Sequence, residues 1–336
     1  MSLLGLKMRM GMFPSAKKID KQHDALVREY KEYVEYSKSK ELARFEYLNK
    51  YLNSSEFEER ENNPEVDRAE IENIKNEFKR LQKSPQLTTY FKSKSREARF
   101  IYLRKWKLIF EDHFDSDKLD SKKWITRHFW GDKLLNNSYS LPDDVHCNTD
   151  GKNISLADSI LSIQTKKENV NGFSWNPSSG FIFRQFQYTS GVINTGNAFR
   201  SKYGKLEAKI KVPKGKAYHA LWLAGERMLP QINVFKYAKK KFHLGYFWGN
   251  TFFPNGANED QTTVSGAFAG RYCIFSIEWT PKQLIWSING KEFKTAHRNI
   301  PSEPMYIAFA SGVENGAKLS SPVKLEIDWV RFYTKV

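Results

Sequence analysis

The sequence predicts a two-part chain: a helical module over 1–106, then an all-β sandwich or jelly roll over 107–336. Three observations predict it. No Gly occurs between Gly11 and Trp106, a stretch dominated by Lys, Glu, Leu, Phe and Tyr. Residues Lys205 to Val212 alternate polar and apolar without a fault, the signature of a strand with one wet face. Asn289-Gly290 stands between two such runs in Gln283–Phe293, the strongest short hairpin signal.

The elements follow in order. From Ile19 to Tyr51, apolar residues recur at helical intervals (Ala25, Leu26, Tyr30, Tyr33, Val34, then Leu42, Phe45, Leu48), which makes one apolar stripe per helix. Ser39, Ser55 and Ser84 precede helical runs with Glu or Gln close behind, so they read as helix starts. Pro64 and Pro85 suit first helical turns. The nine residues Ala43–Tyr51 match Ala98–Trp106 at six positions, and Ile19/Ile74 and Leu26/Leu81 share the 55-residue offset, which points to a duplicated helical unit. Beyond Trp106, Ile160–Gln164, Tyr272–Trp279, Met305–Ala310 and Val323–Tyr333 also read as strands, separated by Gly, Pro and Asn turns.

Composition excludes several classes. Aromatic residues make up 15% of the chain, far from a disordered composition. Cys147 and Cys273 stand alone, too few for a disulfide scaffold or a CxxC zinc site, and they read as free thiols. No apolar run reaches the ~20 residues of a membrane span. Met1–Phe13 is apolar but broken by Lys7 and Arg9, unlike a secretory signal. The expectation is a cytoplasmic protein or a component of a virion or surface assembly, unless the sequence is a mature form. The net charge of +16 divides into about +6 up to Trp106 and about +10 after it, with Lys239-Lys240-Lys241 as the one dense tract. No nucleic-acid motif accompanies that charge, so nucleic acid is not an expected partner.

Six stretches in order carry a family resemblance. They are Leu108–Phe114 with Leu119-Asp120 and Lys123-Trp124, Tyr203–Lys211 with Pro213-Lys214-Gly215, Ala220–Leu223, Phe275–Thr280, Ile288–Lys291 and Glu326–Tyr333. Together they resemble glycoside hydrolase family 16, over essentially 107–336. The resemblance implies a concanavalin A-like jelly roll with a glycan cleft on its concave face, and hydrolysis of β-glucans or galactans with retention. It also implies a Glu-x-Asp-x-x-Glu strand after the Trp222 strand. Alternate residues of a strand share a face, so the first two acids of such a motif point into the cleft together. The three-residue step to the last acid requires a bulge. The two working carboxyls of a retaining enzyme stand about 5–5.5 Å apart.

Here the stretch reads Gln231-Ile232-Asn233-Val234-Phe235-Lys236. An amide has no anionic oxygen for nucleophilic attack, and a lysine of ordinary pKa about 10.4 is a poor proton donor near neutral pH. Relative to three acids the strand gains about four positive charges. Glu226 is the nearest carboxylate before the strand, but a two-carboxylate mechanism would still lack its second acid. No HExxH or GxSxG motif supplies another route. The expected catalytic set is therefore empty. Gln and Asn keep hydrogen-bonding shape without charge, so Gln231, Asn233 and Lys236 are candidate ligand-binding residues. Trp130, Trp175 and Trp248, in turn-like contexts, are candidate sugar platforms or ordinary packing residues, and Trp222 is placed at the cleft floor. Asp328 matches a position where some family members hold a structural calcium with backbone carbonyls, although one oxygen ligand does not define a site. No other cofactor is expected. The leading reading is a non-catalytic module that binds a neutral or acidic polysaccharide or serves as a structural part of a larger assembly. The alternatives are an assembly protein whose helical module docks protein partners beside an inert sandwich, and an active hydrolase with relocated acids.

Overall fold

The computed structural model describes residues 13–176, 178–249 and 257–336. These fall into two compact units. Asp20–Trp106 and Val336 form one, and the described residues 13–19 group with Lys107–Lys335 in the other. Residues 13–19, read from the sequence as part of the helical module, thus pack with the sandwich. Phe13 packs edge-on against Phe268 at 5.3 Å, Ala16 is buried with Ile274 and Trp329, and Asn289 Nδ2 donates to Pro14 O at 2.9 Å. The stretch Met1–Met12 lies outside the described residues.

In the helical unit, α1 (Ala16–Tyr36) is followed by α2 (Lys40–Leu52), α3 (Ser55–Asn62), α4 (Arg68–Gln82), α5 (Pro85–Lys94), a 3-10 turn (Glu97–Phe100) and α6 (Ile101–Lys105). Ser39 and Ser84 cap α2 and α5 through their hydroxyls, and Pro85 opens α5. The cap of α3 is Ser54, one residue before the expected Ser55. Pro64 lies outside any helix, because Asp67 caps α4. Leu42, Phe45, Leu87 and Tyr90 form the buried cluster of this unit, and Phe45 stacks on Phe78 at 5.2 Å. The two matching nine-residue stretches differ in form. Ala43–Tyr51 lies within one helix, whereas Ala98–Trp106 spans the 3-10 turn, α6 and the start of a strand.

The other unit is a sandwich. Its strands are β1 (Trp106–Asp112), β2 (Tyr139–Ser140), β3 (His146–Asn148), β4 (Ile154–Ala157), β5 (Ile160–Asn176), β6 (Gly180–Ser190), β7 (Val192–Asn194), β8 (Gly204–Lys211) and β9 (Tyr218–Ala224). They continue as β10 (Gln231–Ala238), β11 (Lys241–Gly249), β12 (Ala257–Ser265), β13 (Tyr272–Trp279), β14 (Leu284–Ile288), β15 (Lys291–Ala296), β16 (Tyr306–Gly312) and β17 (Val323–Lys335). One sheet runs β15-β14-β13-β8-β17-β5-β6-β3 with β1, β2 and β4 attached. The other runs β12-β11-β10-β9-β16-β7.

The alternation in β8 divides the strand as expected. Leu206, Ala208 and Ile210 enter the core between the sheets. Their neighbours form ion pairs on the outer face, Lys205–Glu207 at 2.6 Å and Lys211–Glu326 at 3.1 Å. Each fully buried aliphatic side chain contributes roughly 1.5–3 kcal/mol, and that core holds the second sheet in register. Asn289 and Gly290 both have positive φ (49° and 71°), the turn that joins β14 to β15 without splaying them. Among the described residues, no helix is long and apolar enough to cross a membrane.

Candidate functional site

Strand β10 carries the residues at issue. Ile232, Val234, Phe235 and Tyr237 enter the inter-sheet core. Gln231, Asn233 and Lys236 pair with Ala224, Trp222 and Ala220 of β9, residues of the opposite face. The register with β9 slips between Asn233 and Phe235, and with β11 between Asn233 and Lys236. This is the bulge that a two-residue step followed by a three-residue step requires. Trp286 Nε1, from β14 across the core, donates to Asn233 O at 2.8 Å and occupies the carbonyl freed there.

The three side chains have partners. Gln231 Nε2 donates to Asn233 Oδ1 at 2.6 Å, and Asn233 is only 3% exposed. Lys236 Nζ stands 2.5 Å from Glu314 Oε1 and 5.1 Å from the centre of the Tyr218 ring. The Tyr218 hydroxyl in turn donates to Asp144 Oδ1 at 3.1 Å.

The floor beside them is covered. Trp222, Tyr218, Tyr306, Ala220, Ala308 and Ala310 form one buried cluster with Phe129, and Trp130 packs against it. The Phe129 ring lies 5.4 Å from Tyr306 and rests on Gly196, where a Cβ would approach it to 2.4 Å. Glu226 fastens this cover. Its backbone oxygen accepts from Trp130 Nε1, and its carboxylate pairs with Arg200 and, at 2.8 Å, with Lys133. Those cations, Lys133 foremost, hold its carboxyl below the usual range. Glu226 thus ties Trp130, Lys133 and Arg200 together.

The other sequence candidates lie elsewhere. Trp248 shares the core-side face with Tyr246, on which it stacks at 5.0 Å, and packs against the main core. The β11 residue opposite Gln231 is Phe247. Trp175 lies on the β5–β6 hairpin of the other sheet, edge-on to Phe181 at 5.2 Å. Asp328 Oδ2, the carboxylate read as a calcium ligand, is 2.8 Å from Lys209 Nζ. Among the described residues, no group of three His, Cys, Asp or Glu could hold a metal ion. Glu314 and Phe129 were not singled out from sequence. Glu314 is 78 residues from its partner Lys236, and nothing in Phe129-Trp130-Gly131 tells which ring reaches the floor.

Two buried histidines bear on stability. His219, on the core side of β9, is 2.8 Å from the Ser311 hydroxyl, and burial pushes its pKa from 6.5 to about 3. Burial likewise pushes His128 to about 4. A depressed folded-state pKa gives stability that is full above the unfolded value and is lost as pH falls. Each group should therefore steepen the loss between about pH 6.5 and its folded value by up to ~1.4 kcal/mol per pH unit. Urea denaturation from pH 7 to 4.5 should show a shallower slope for His219→Gln than for the wild type. Parallel slopes would mean that His219 is protonated in the fold.

Comparison with known proteins adds the following. Residues 142–331 match the model of the family described as Glycosyl hydrolases family 16. The chain is 25% identical over 275 residues to glucan endo-1,3-beta-glucosidase A1 of Niallia circulans, covering 67% of this chain and 37% of that protein. It is 23% identical to the clotting factor G alpha subunit of Tachypleus tridentatus, covering 68% and 34%. It thus spans well under half the length of these relatives. Among solved structures, the endo-beta-1,3-glucanase of Pyrococcus furiosus superposes with a TM-score of 0.55 at 21% identity, covering 69% of this chain and 95% of that one. The kappa-carrageenase of Pseudoalteromonas carrageenovora does so at 0.54 and 17%, covering 69% and 96%. At these identities the likeness concerns the fold.

Proposed function

The chain belongs to glycosyl hydrolases family 16, and we propose that it is a non-catalytic member that recognises a polysaccharide without cleaving it. One observation carries the proposal. Gln231, Asn233 and Lys236, the positions that the sequence resemblance reads as those of the family's acids, hold an amide pair bonded to itself and a lysine tied to Glu314. No carboxylate is left at those positions to attack an anomeric carbon, and no acid to protonate the leaving oxygen. Relocation of the acids to Glu226 is disfavoured by its ion pairs with Lys133 and Arg200.

Recognition is supported by the kinship with a protein named as a glucan endo-1,3-beta-glucosidase. It is supported also by the half-buried Gln231, Lys236, His243 and Phe247, paired across β10 and β11, of which Phe247 and His243 pair in turn with the exposed Glu259 and Thr263 of β12. The covered floor favours a second reading, in which the sandwich is a structural part of an assembly. Co-sedimentation with insoluble β-1,3-glucan, with release of reducing ends followed in the same tube, separates the readings. Retention without release is the expected result. Absence from the pellet with glucan and with acidic polysaccharides alike leaves the structural reading, and release of reducing ends overturns both.

A further inference from the structure

We infer that the cavity at the root of the β5–β6 hairpin is a sugar-binding site that takes a neutral or acidic saccharide unit. The inference rests on the reading that the chain recognises polysaccharide, and it places that recognition away from Gln231. The cavity has a volume of about 550 Å³, within the usual range of small-molecule sites, and none of its lining residues belongs to β9–β12. It opens between the segment Asn137–Asn153 and the long hairpin. Gly172 packs so closely on Cys147 that a Cβ there would meet Sγ at 2.4 Å, which fixes the hairpin root against β3.

Its chemistry differs from that of the covered floor. Asn137, Asn148, Asn153 and Asn171 line it, and an amide both donates and accepts, as a sugar hydroxyl does. Asn153 is held in place, donating to Gln164 O at 2.8 Å and to Thr189 Oγ1 at 3.1 Å. Two buried oxygens of lining residues, Ser138 Oγ and Asn148 Oδ1, have no hydrogen-bond partner among the described residues. Such groups are costly to leave unpaired, by contrast with Gln231 and Asn233, which satisfy each other. At the rim, Phe183 is 65% exposed and braced by Phe173 at 5.2 Å, an apolar ring free to stack on the C–H face of a sugar. The lining carboxylates are neutralised, Glu168 by Lys166 at 3.1 Å and Asp150 by Arg127 at 3.6 Å. The exposed Lys152 has no ion pair among the described residues, which favours neutral or anionic ligands over cations.

Calorimetric titration of the full chain with laminarihexaose and, separately, with hexagalacturonate tests the site. Phe183→Ala should weaken binding of whichever oligosaccharide binds by about tenfold or more, with the melting temperature unchanged. Lys152→Ala should weaken the acidic oligosaccharide alone. If binding survives Phe183→Ala and is abolished by Phe247→Ala, the cavity is not the site, while recognition itself stands. If neither oligosaccharide binds at millimolar concentration, the cavity and the recognition reading fall together.

Discussion

The triple variant Gln231→Glu, Asn233→Asp, Lys236→Glu, which restores an acid at each position, should lose about 3–5 kcal/mol of folding stability at neutral pH. In the native chain Gln231 Nε2 donates to Asn233 Oδ1, and Asn233 is almost fully buried. Two carboxylates in the same places have no proton to share at pH 7 and repel in a poorly hydrated setting. At the third position Glu faces Glu314, so a 2.5 Å ion pair becomes a like-charge contact. Each pair relaxes by raising the pKa of one member. A raised carboxyl pKa gives stability that is present at low pH and lost as pH rises, so the deficit should shrink towards pH 4. Equilibrium denaturation at pH 7 and pH 4 measures this. An undiminished stability at pH 7 would show that the site still accommodates the charges of an acid motif.

Trp286→Ala should be at least as damaging, for a different reason. The indole is fully buried in the core, and its Nε1 is the donor to Asn233 O at the bulge. Removing a buried Trp typically costs about 3–5 kcal/mol, and the carbonyl left without a donor adds about 1–3 kcal/mol. Trp286→Phe keeps most of the ring and removes only the donor, so it should fall between wild type and alanine. If the phenylalanine variant matches the wild type in denaturant, the bulge does not depend on that hydrogen bond.

Much of the fold was legible because local pattern and tertiary burial agree. The β8 alternation and the Asn289-Gly290 turn are decided by neighbours in sequence, and both appear where the pattern puts them. The bulge in β10 was legible only through the family resemblance, whose motif takes a two-residue step and then a three-residue step. Other features depend on long-range packing. Trp248 lies with Tyr246 on the core side because β11 alternates from Phe242 onward, a register that a lone Phe-Trp-Gly string conceals. The cover over Trp222 depends on Phe129 finding Gly196 and Tyr306, both distant in sequence, and on Glu226 joining Trp130, Lys133 and Arg200. Asp328 was readable as an acid, but its lysine partner comes from another strand. Ser54 and Ser55 are equivalent by type, and only the backbone decides which one caps.

The absence of glycosidic chemistry is the claim on which these readings depend, and one assay meets it most directly. Purified chain is incubated with soluble β-1,3-glucan at pH 5 to 8, and new reducing ends are counted against a buffer blank and an active laminarinase. The account predicts no release above the blank at any pH, since the loss of a nucleophile alone commonly removes about 4–6 orders of magnitude, or roughly 5–8 kcal/mol of barrier lowering. Turnover that scales with protein concentration and disappears with Glu226→Gln would contradict it, and would identify that carboxylate as a working group.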